Sequence, residues 1–240
     1  MTDLFNFRDL AGLPTTCERK IKPGKLFRTG NISHVSEPTV EKLTSSLDIK
    51  TYVDFRTEQE IKAFGRPDFL IKQGVQWVNL HIDTDDPMFK VSRKPSVAEW
   101  AKLYTRLFEE NLKDWVQFLN LILESKNALL YGCVLGKDRT GIATSFLLTT
   151  LDVHDEHIES DYALTTESME HRFIDRLNSF WDNSDLTKDE HFQHYLSAHP
   201  ETIRNFVDTI RKRDDEIYRL LTSAGWTLEK REALKNKILE

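Results

Sequence analysis

Cys133 and Arg139, with five residues between them, are the pair whose types and spacing could do chemistry. The stretch around them reads NALLYG, then CVLGKDRTG, then IATSFLL. The apolar run ending at Gly132 reads as a strand, and Thr140 opens an apolar helical run, so the loop joins a strand end to a helix start. A loop of that length can curl until its backbone N–H groups, those of Val134, Leu135, Gly136 and Lys137 among them, point at one centre. The helix N-terminus adds positive potential there. Such a nest binds a tetrahedral dianion, and Arg139 can close it with two parallel charge-assisted hydrogen bonds. Cys133 lies below the anion at the positive end of the helix, which favours the thiolate. A thiolate beneath a bound phosphate is a nucleophile aimed at phosphorus. Thr140 can donate its hydroxyl to the sulfur and make it a better leaving group in a second step. C-x(5)-R alone arises by chance in roughly one of eight chains of this composition, but with Gly136, Thr140 and Gly141 at their offsets the figure drops to the order of 10^-5. A buried structural cysteine beside a glycine turn is the bland alternative.

The elements that must position this loop alternate between strands and helices. Lys25 to Arg28 is a short strand after the turn at Pro23-Gly24. Pro38 to Leu47 has helical spacing with Ser36 as cap. Ile49 to Val53 is a β-branched strand that delivers Asp54, Phe55 and Arg56 at its carboxyl end, where Thr57 caps the helix beginning TEQEIKAF. Asp54 and Arg56 share one face of an extended segment. At the carboxyl end of a parallel strand they either point into the ligand crevice or pair with each other to close the strand. Val75 to Ile82 is a further strand, and Asp83 follows it. Residues 88–97 read as a solvated loop with three basic side chains. Two amphipathic helices follow, marked by Trp100, Leu103, Tyr104, Leu107 and Phe108, then by Trp115, Phe118, Leu119 and Ile122. Beyond the signature helix, residues 178–198 form a polar and aromatic insertion, a lid or short helices, in which His191 and His194 are solvated rather than a metal site. One long helix runs from Pro200 towards Gly225, with Arg211-Lys212-Arg213 facing Asp214-Asp215-Glu216, and a last helix ends the chain. Alternation of this kind predicts a three-layer α/β domain around a mostly parallel sheet.

Composition narrows the classes. The chain has 240 residues and a net charge of −6, without long blocks of like charge. That argues against nucleic acid or an anionic membrane as partner. No apolar run reaches the roughly 18 residues that a span needs. The start, with Asp3 and Asp9, has no apolar signal region, and two distant cysteines suit a reducing compartment. A cytoplasmic location is expected, with signal-less export left open, and Cys17 is taken as incidental. Oligomeric state is left open.

These residues resemble the cysteine-dependent tyrosine and dual-specificity phosphatases, and GKDRTG is most similar to their atypical bacterial branch. There the loop commonly reads HCxxGKDRTG, with a His that helps to fix it; here Gly132 precedes Cys133. NFRDLAG followed by LFRTGNIS resembles the opening of the same branch, which implies that Asn6 and Arg28 lie near the pocket. DFRTEQE resembles its D-[LF]-R-[ST] motif, which implies Asp54 as first candidate for the general acid; Asp138 inside the loop ranks second and Asp83 third. DYALT echoes a D-Y segment in which Asp161 is structural. The resemblance implies the tyrosine-phosphatase fold over residues 1–240 as a single domain, with a helical elaboration over about 155–240. It implies hydrolysis of phosphotyrosine in proteins, with phosphoserine and phosphothreonine as further substrates, through a phosphocysteine and without a metal or other cofactor. Val134, Leu135, Gly136, Lys137 and Arg56 are the expected phosphate-binding residues. Lys137, as a second cation at the rim, suits substrates with more than one phosphate, and in the family it goes with phosphoinositide activity. A phosphoinositide or inositol-phosphate phosphatase is therefore the alternative, and a phosphate-binding pseudophosphatase a further one. Rhodanese-like and arsenate-reductase loops fit less well.

Overall fold

The apolar run that carries Cys133 becomes the central strand of the sheet. The computed structural model describes residues 3–83, 95–168 and 196–240. Five strands, β1 (Arg8–Asp9), β2 (Leu26–Thr29), β3 (Ile49–Asp54), β4 (Gln76–Asn79) and β5 (Ala128–Gly132), lie in the order β1-β2-β5-β3-β4. Only β1 is antiparallel to its neighbour. Every residue of β5 is buried, as an apolar strand covered on both faces must be. The register sets its end, Gly132, between Thr29 of β2 and Asp54 of β3.

Helices cover both faces, which makes three layers. On one face α1 (Glu37–Glu41), continued by a wider π turn over Lys42–Ser46, and α3 (Asp68–Lys72) pack on Ile49, Tyr52 and Leu130. On the other face α4 (Val97–Glu110), α5 (Leu112–Glu124), α6 (Asp138–Thr150), α7 (Asp155–Glu167) and α8 (Pro200–Lys212) build the larger core. Phe55 is its hub below the site, with edge-on ring contacts to Trp115, Phe118 and Tyr131. The last helices are α9 (Asp214–Ser223) and α10 (Leu228–Ile238), after which Leu239 bridges back to Ile21. Two helices start where a T/S-x-x-E capping box says they should: α2 (Glu58–Phe64) from Thr57 and α4 from Ser96.

Two elements differ from the expectation. The helix after the loop begins at Asp138 rather than Thr140, because the Lys137 carbonyl accepts the Gly141 N–H at 2.7 Å and closes the first turn there. The long C-terminal helix is two helices. Arg213 leaves helical geometry (φ −112°, ψ 27°), and its guanidinium spans Glu109 of α4 and Glu216 of α9. Most of the loop 88–97 and of the insertion 178–198, including His191 and His194, lies outside the described residues. No helix among the described residues is long and apolar enough to cross a membrane.

Candidate active site

Helix α6 is buried on nearly every side, so its N-terminus, with its unpaired N–H groups and positive potential, is held deep in the molecule. The loop Cys133–Lys137 lies between that N-terminus and the end of β5. Its carbonyls are turned outwards and held there. Val134 O accepts the Asn31 N–H at 2.9 Å. Leu135 O and Gly136 O accept Asn6 Nδ2 at 3.2 and 2.8 Å, and Gly136 O also accepts Arg28 Nη2 at 2.6 Å. In a planar trans peptide the C=O and the following N–H point in opposite directions. The N–H groups of Leu135, Gly136 and Lys137 therefore face the loop's interior, which is the anion nest that the spacing calls for.

Cys133 is buried at the base of the loop, and Thr140 Oγ1 donates to its Sγ at 3.1 Å. Arg139 is fixed from the far side by Glu60 of α2. Nη1 and Nη2 each meet a Glu60 carboxylate oxygen at 2.6 Å, and Nη1 also donates to Phe55 O at 3.0 Å. With five N–H donors on a guanidinium, these bonds leave the edge made by Nε–H and the second Nη2–H as the two-donor edge for a ligand. Burial disfavours the Arg139 charge, but Glu60 outweighs it and raises the guanidinium pKa; the same pairing holds Glu60 below the usual carboxylate range despite its own burial. Glu60 was not among the sequence candidates. Its signal is the capping box itself, Thr57-x-x-Glu60, whose glutamate also receives the Thr57 N–H at 2.8 Å.

Asn6, Arg8, Arg28 and Asp161 form the loop's outer clamp. Arg8 and Arg28 both pair with Asp161 of α7, and Asn6, in the left-handed region at φ 51°, is held by Arg8 through its Oδ1. Burial alone would raise the Asp161 pKa; Arg28 and Arg8 outweigh it and keep the carboxylate ionised. The nearness of Asn6 and Arg28 to the pocket is thus realised, and the α7 segment supplies a buried anchor for it.

Gly132 and Gly136 are glycines for a steric reason. A Cβ at Gly132 would lie 2.5 Å from the Thr29 carbonyl of β2, and one at Gly136 would lie 2.7 Å from the same oxygen at φ 66°. The place where a His side chain would leave the backbone is therefore filled by β2. Gly132→Ala is expected to cost about 1–3 kcal/mol of stability by overpacking, read as a lower denaturant midpoint, and Gly132→His to cost more.

Three sequence candidates are engaged otherwise than expected. The Asp54 and Arg56 side chains are spent on each other and on neighbouring segments. Asp54 is fully buried, receives Arg56 Nε and Nη2 (2.9 and 2.7 Å to its two oxygens) and accepts Trp77 Nε1 at 3.1 Å. Arg56 spends its remaining donors on Asn31, Ser33 and the Gly65 carbonyl. The pair closes the strand end and ties the β2–α1 and α2–α3 connections to it; local charge pairing has won over projection into the crevice. Lys137 is not a rim cation either. It is buried, with Nζ 4.6 Å from the Trp100 ring centroid and 3.6 Å from Asp138 Oδ1, and burial lowers its pKa against the pull of Asp138. Asp138 is the first residue of α6, directly after the loop, and its Oδ1 accepts Tyr104 Oη–H at 2.6 Å. Asp83 is exposed at the end of the segment after β4. Among the described residues no group of His, Cys, Asp and Glu is placed to hold a metal ion.

Comparison with known proteins gives three findings. A family model described as "Tyrosine phosphatase family" matches residues 1–240. A Cupriavidus necator protein named "Putative tyrosine-protein phosphatase H16_A0669" is 30% identical over 162 residues; the match covers 65% of this chain and 59% of that relative's length. Among solved structures, the core catalytic domain of the PP-IP phosphatase SIW14 from S. cerevisiae is 14% identical with a TM-score of 0.37, covering 81% of this chain and 96% of that one. TpbA from P. aeruginosa is 16% identical with a TM-score of 0.31, covering 81% and 88%.

Proposed function

We propose, for a chain that belongs to the tyrosine phosphatase family, that it hydrolyses phosphomonoesters on proteins, phosphotyrosine first, through a phosphocysteine at Cys133. The observation that carries this is the convergence on one loop: Cys133 Sγ with the Thr140 hydroxyl at 3.1 Å, inward amides, and Arg139 held by Glu60 with a two-donor edge to spare. The amides and Arg139 bind the dianion and stabilise the charge on its equatorial oxygens as it transfers. The Cys133 thiolate forms the S–P bond as the ester P–O bond breaks. Asp138 protonates the leaving oxygen, then as carboxylate takes a proton from the water that cleaves the S–P bond. Thr140, by its hydrogen bond, eases departure of the sulfur in that second step.

Asp138 takes the acid role in this reading because it opens α6 directly after the loop, beside Arg139, whereas the Asp54 carboxylate is bound by Arg56 and Trp77. The reading takes residues 1–240 as one domain, supported by the larger of the two core clusters, whose members run from Leu10 to Leu239. The polyphosphate alternative relied on Lys137 as a rim cation, and its burial over Trp100 weakens that motive. The test is hydrolysis in EDTA of a phosphotyrosine peptide, a phosphoserine peptide and a phosphoinositide. Metal-independent turnover with the phosphotyrosine peptide preferred is the expected result. Turnover that EDTA abolishes would overturn the mechanism, and preference for the lipid would overturn the substrate.

A further inference from the structure

We infer that Tyr104, backed by Tyr162, is a positioning residue that fixes which oxygen of Asp138 carries the proton given to the leaving group. This rests on the assignment of Asp138 as the acid. Tyr104 comes from α4 and Tyr162 from α7, and both are buried. Tyr104 Oη–H donates to Asp138 Oδ1 at 2.6 Å, and the two phenol oxygens are 2.7 Å apart.

Each phenol has one proton to donate. If Tyr104 spends its own on Asp138, the proton between the two phenols must come from Tyr162. The chain therefore has one direction: Tyr162 to Tyr104 to Asp138. Its geometry is locked, because the Tyr104 ring is packed against Trp100 and edge-on against Tyr162 and Phe206. Burial, reinforced by the Asp138 charge, raises the pKa of both phenols, so both remain protonated donors.

The consequence falls on the carboxyl group. Oδ1 receives the Tyr104 proton and lies 3.6 Å from Lys137 Nζ. An oxygen that accepts a hydrogen bond and faces an ammonium is the carbonyl-type oxygen of the protonated acid, and the acid's own proton then sits on Oδ2. In the first step the Cys133 sulfur forms its bond to phosphorus while the ester P–O bond breaks, and the Oδ2 proton passes to the departing oxygen. The negative charge left on Asp138 is received by the Tyr104 hydroxyl and the Lys137 ammonium. In the second step Oδ2 takes a proton from the attacking water and the acid is restored. Nothing in this requires Tyr104 to touch the substrate.

The experiment compares kcat/KM, which reports the steps through loss of the leaving group, for phenyl phosphate and dinitrophenyl phosphate. Phenoxide leaves poorly without a proton; dinitrophenolate leaves readily without one. Tyr104→Phe is expected to lose about tenfold on phenyl phosphate and less than about twofold on dinitrophenyl phosphate. Tyr162→Phe, which keeps the Tyr104–Asp138 bond but removes the donor that directs it, should show a smaller loss with the same selectivity. Asp138→Asn is the reference, with about 100-fold loss on phenyl phosphate alone. If Asp138→Asn is selective and both tyrosine variants lose activity equally on the two esters, or on neither, the positioning role is wrong and the acid assignment stands. An unselective Asp138→Asn removes the acid assignment and the positioning role together. Thermal melting of each variant shows whether an equal loss is loss of fold.

Discussion

Cys133→Ser lowers kcat by at least about 10^4-fold while the anion site persists. Serine keeps the size and the Thr140 partner of the thiol but presents a neutral hydroxyl, a far weaker nucleophile than a thiolate. The nest is made of backbone N–H groups whose outward carbonyls are held by Asn6, Arg28 and Asn31. None of those bonds involves the sulfur. Calorimetric binding of inorganic phosphate should therefore survive in the variant, within a few-fold of wild type, while aryl phosphate hydrolysis in EDTA is lost. Equal hydrolysis by the two proteins would remove Cys133 from the mechanism. A variant that loses both binding and turnover would instead mean that the sulfur holds the loop together.

Arg139→Lys comes second, with an expected loss of about 10^3-fold in kcat/KM. Lysine keeps the charge but not the planar fork, and two requirements meet on that fork. One edge is used by Glu60, and the adjoining edge is left for the phosphate. An ammonium drawn to Glu60 has no second, rigid edge to present. Glu60→Gln tests the other half of the pair. It keeps the shape but leaves a buried guanidinium without its counter-charge, and about a 10- to 100-fold loss in kcat/KM is expected. Gln at the third helical position can still accept the Thr57 N–H, so the cap of α2 is retained. A Glu60→Gln protein with unchanged kcat/KM and a reduced melting temperature would mean that Glu60 is a cap and nothing more.

How much of this was legible in the sequence follows chain distance. The loop was, because Cys133, Gly136, Arg139, Thr140 and Gly141 are neighbours in the chain and their offsets are fixed by the backbone. The layered α/β sheet was, because strands and helices alternate and each carries its own period. What was not legible is anything decided by tertiary approach. Glu60 could be read as a capping residue, yet its second partner lies 79 positions away. Lys137 reads as a rim cation until Trp100, on another helix, is laid beneath it. The period of two correctly put Asp54 and Arg56 on one face, but it could not say that Trp77, Asn31 and Ser33 would be waiting there to complete the pair. Gly132 read as a missing His; the structure gives it a reason of its own in the Thr29 carbonyl.

The clamp of Asn6, Arg8, Arg28 and Asp161 also bears on how such a chain can drift over evolutionary time. Its members share hydrogen bonds and charge so fully that none is exchangeable alone: losing Asp161 strands two arginines, and losing Arg28 leaves the Gly136 carbonyl to Asn6 alone. Neutral paths through sequence space must therefore change them as a set or leave them alone. NFRDL and DYALT, though more than 150 positions apart, are joined to the signature loop through this one clamp, and a substitution in either is expected to be epistatic to the others.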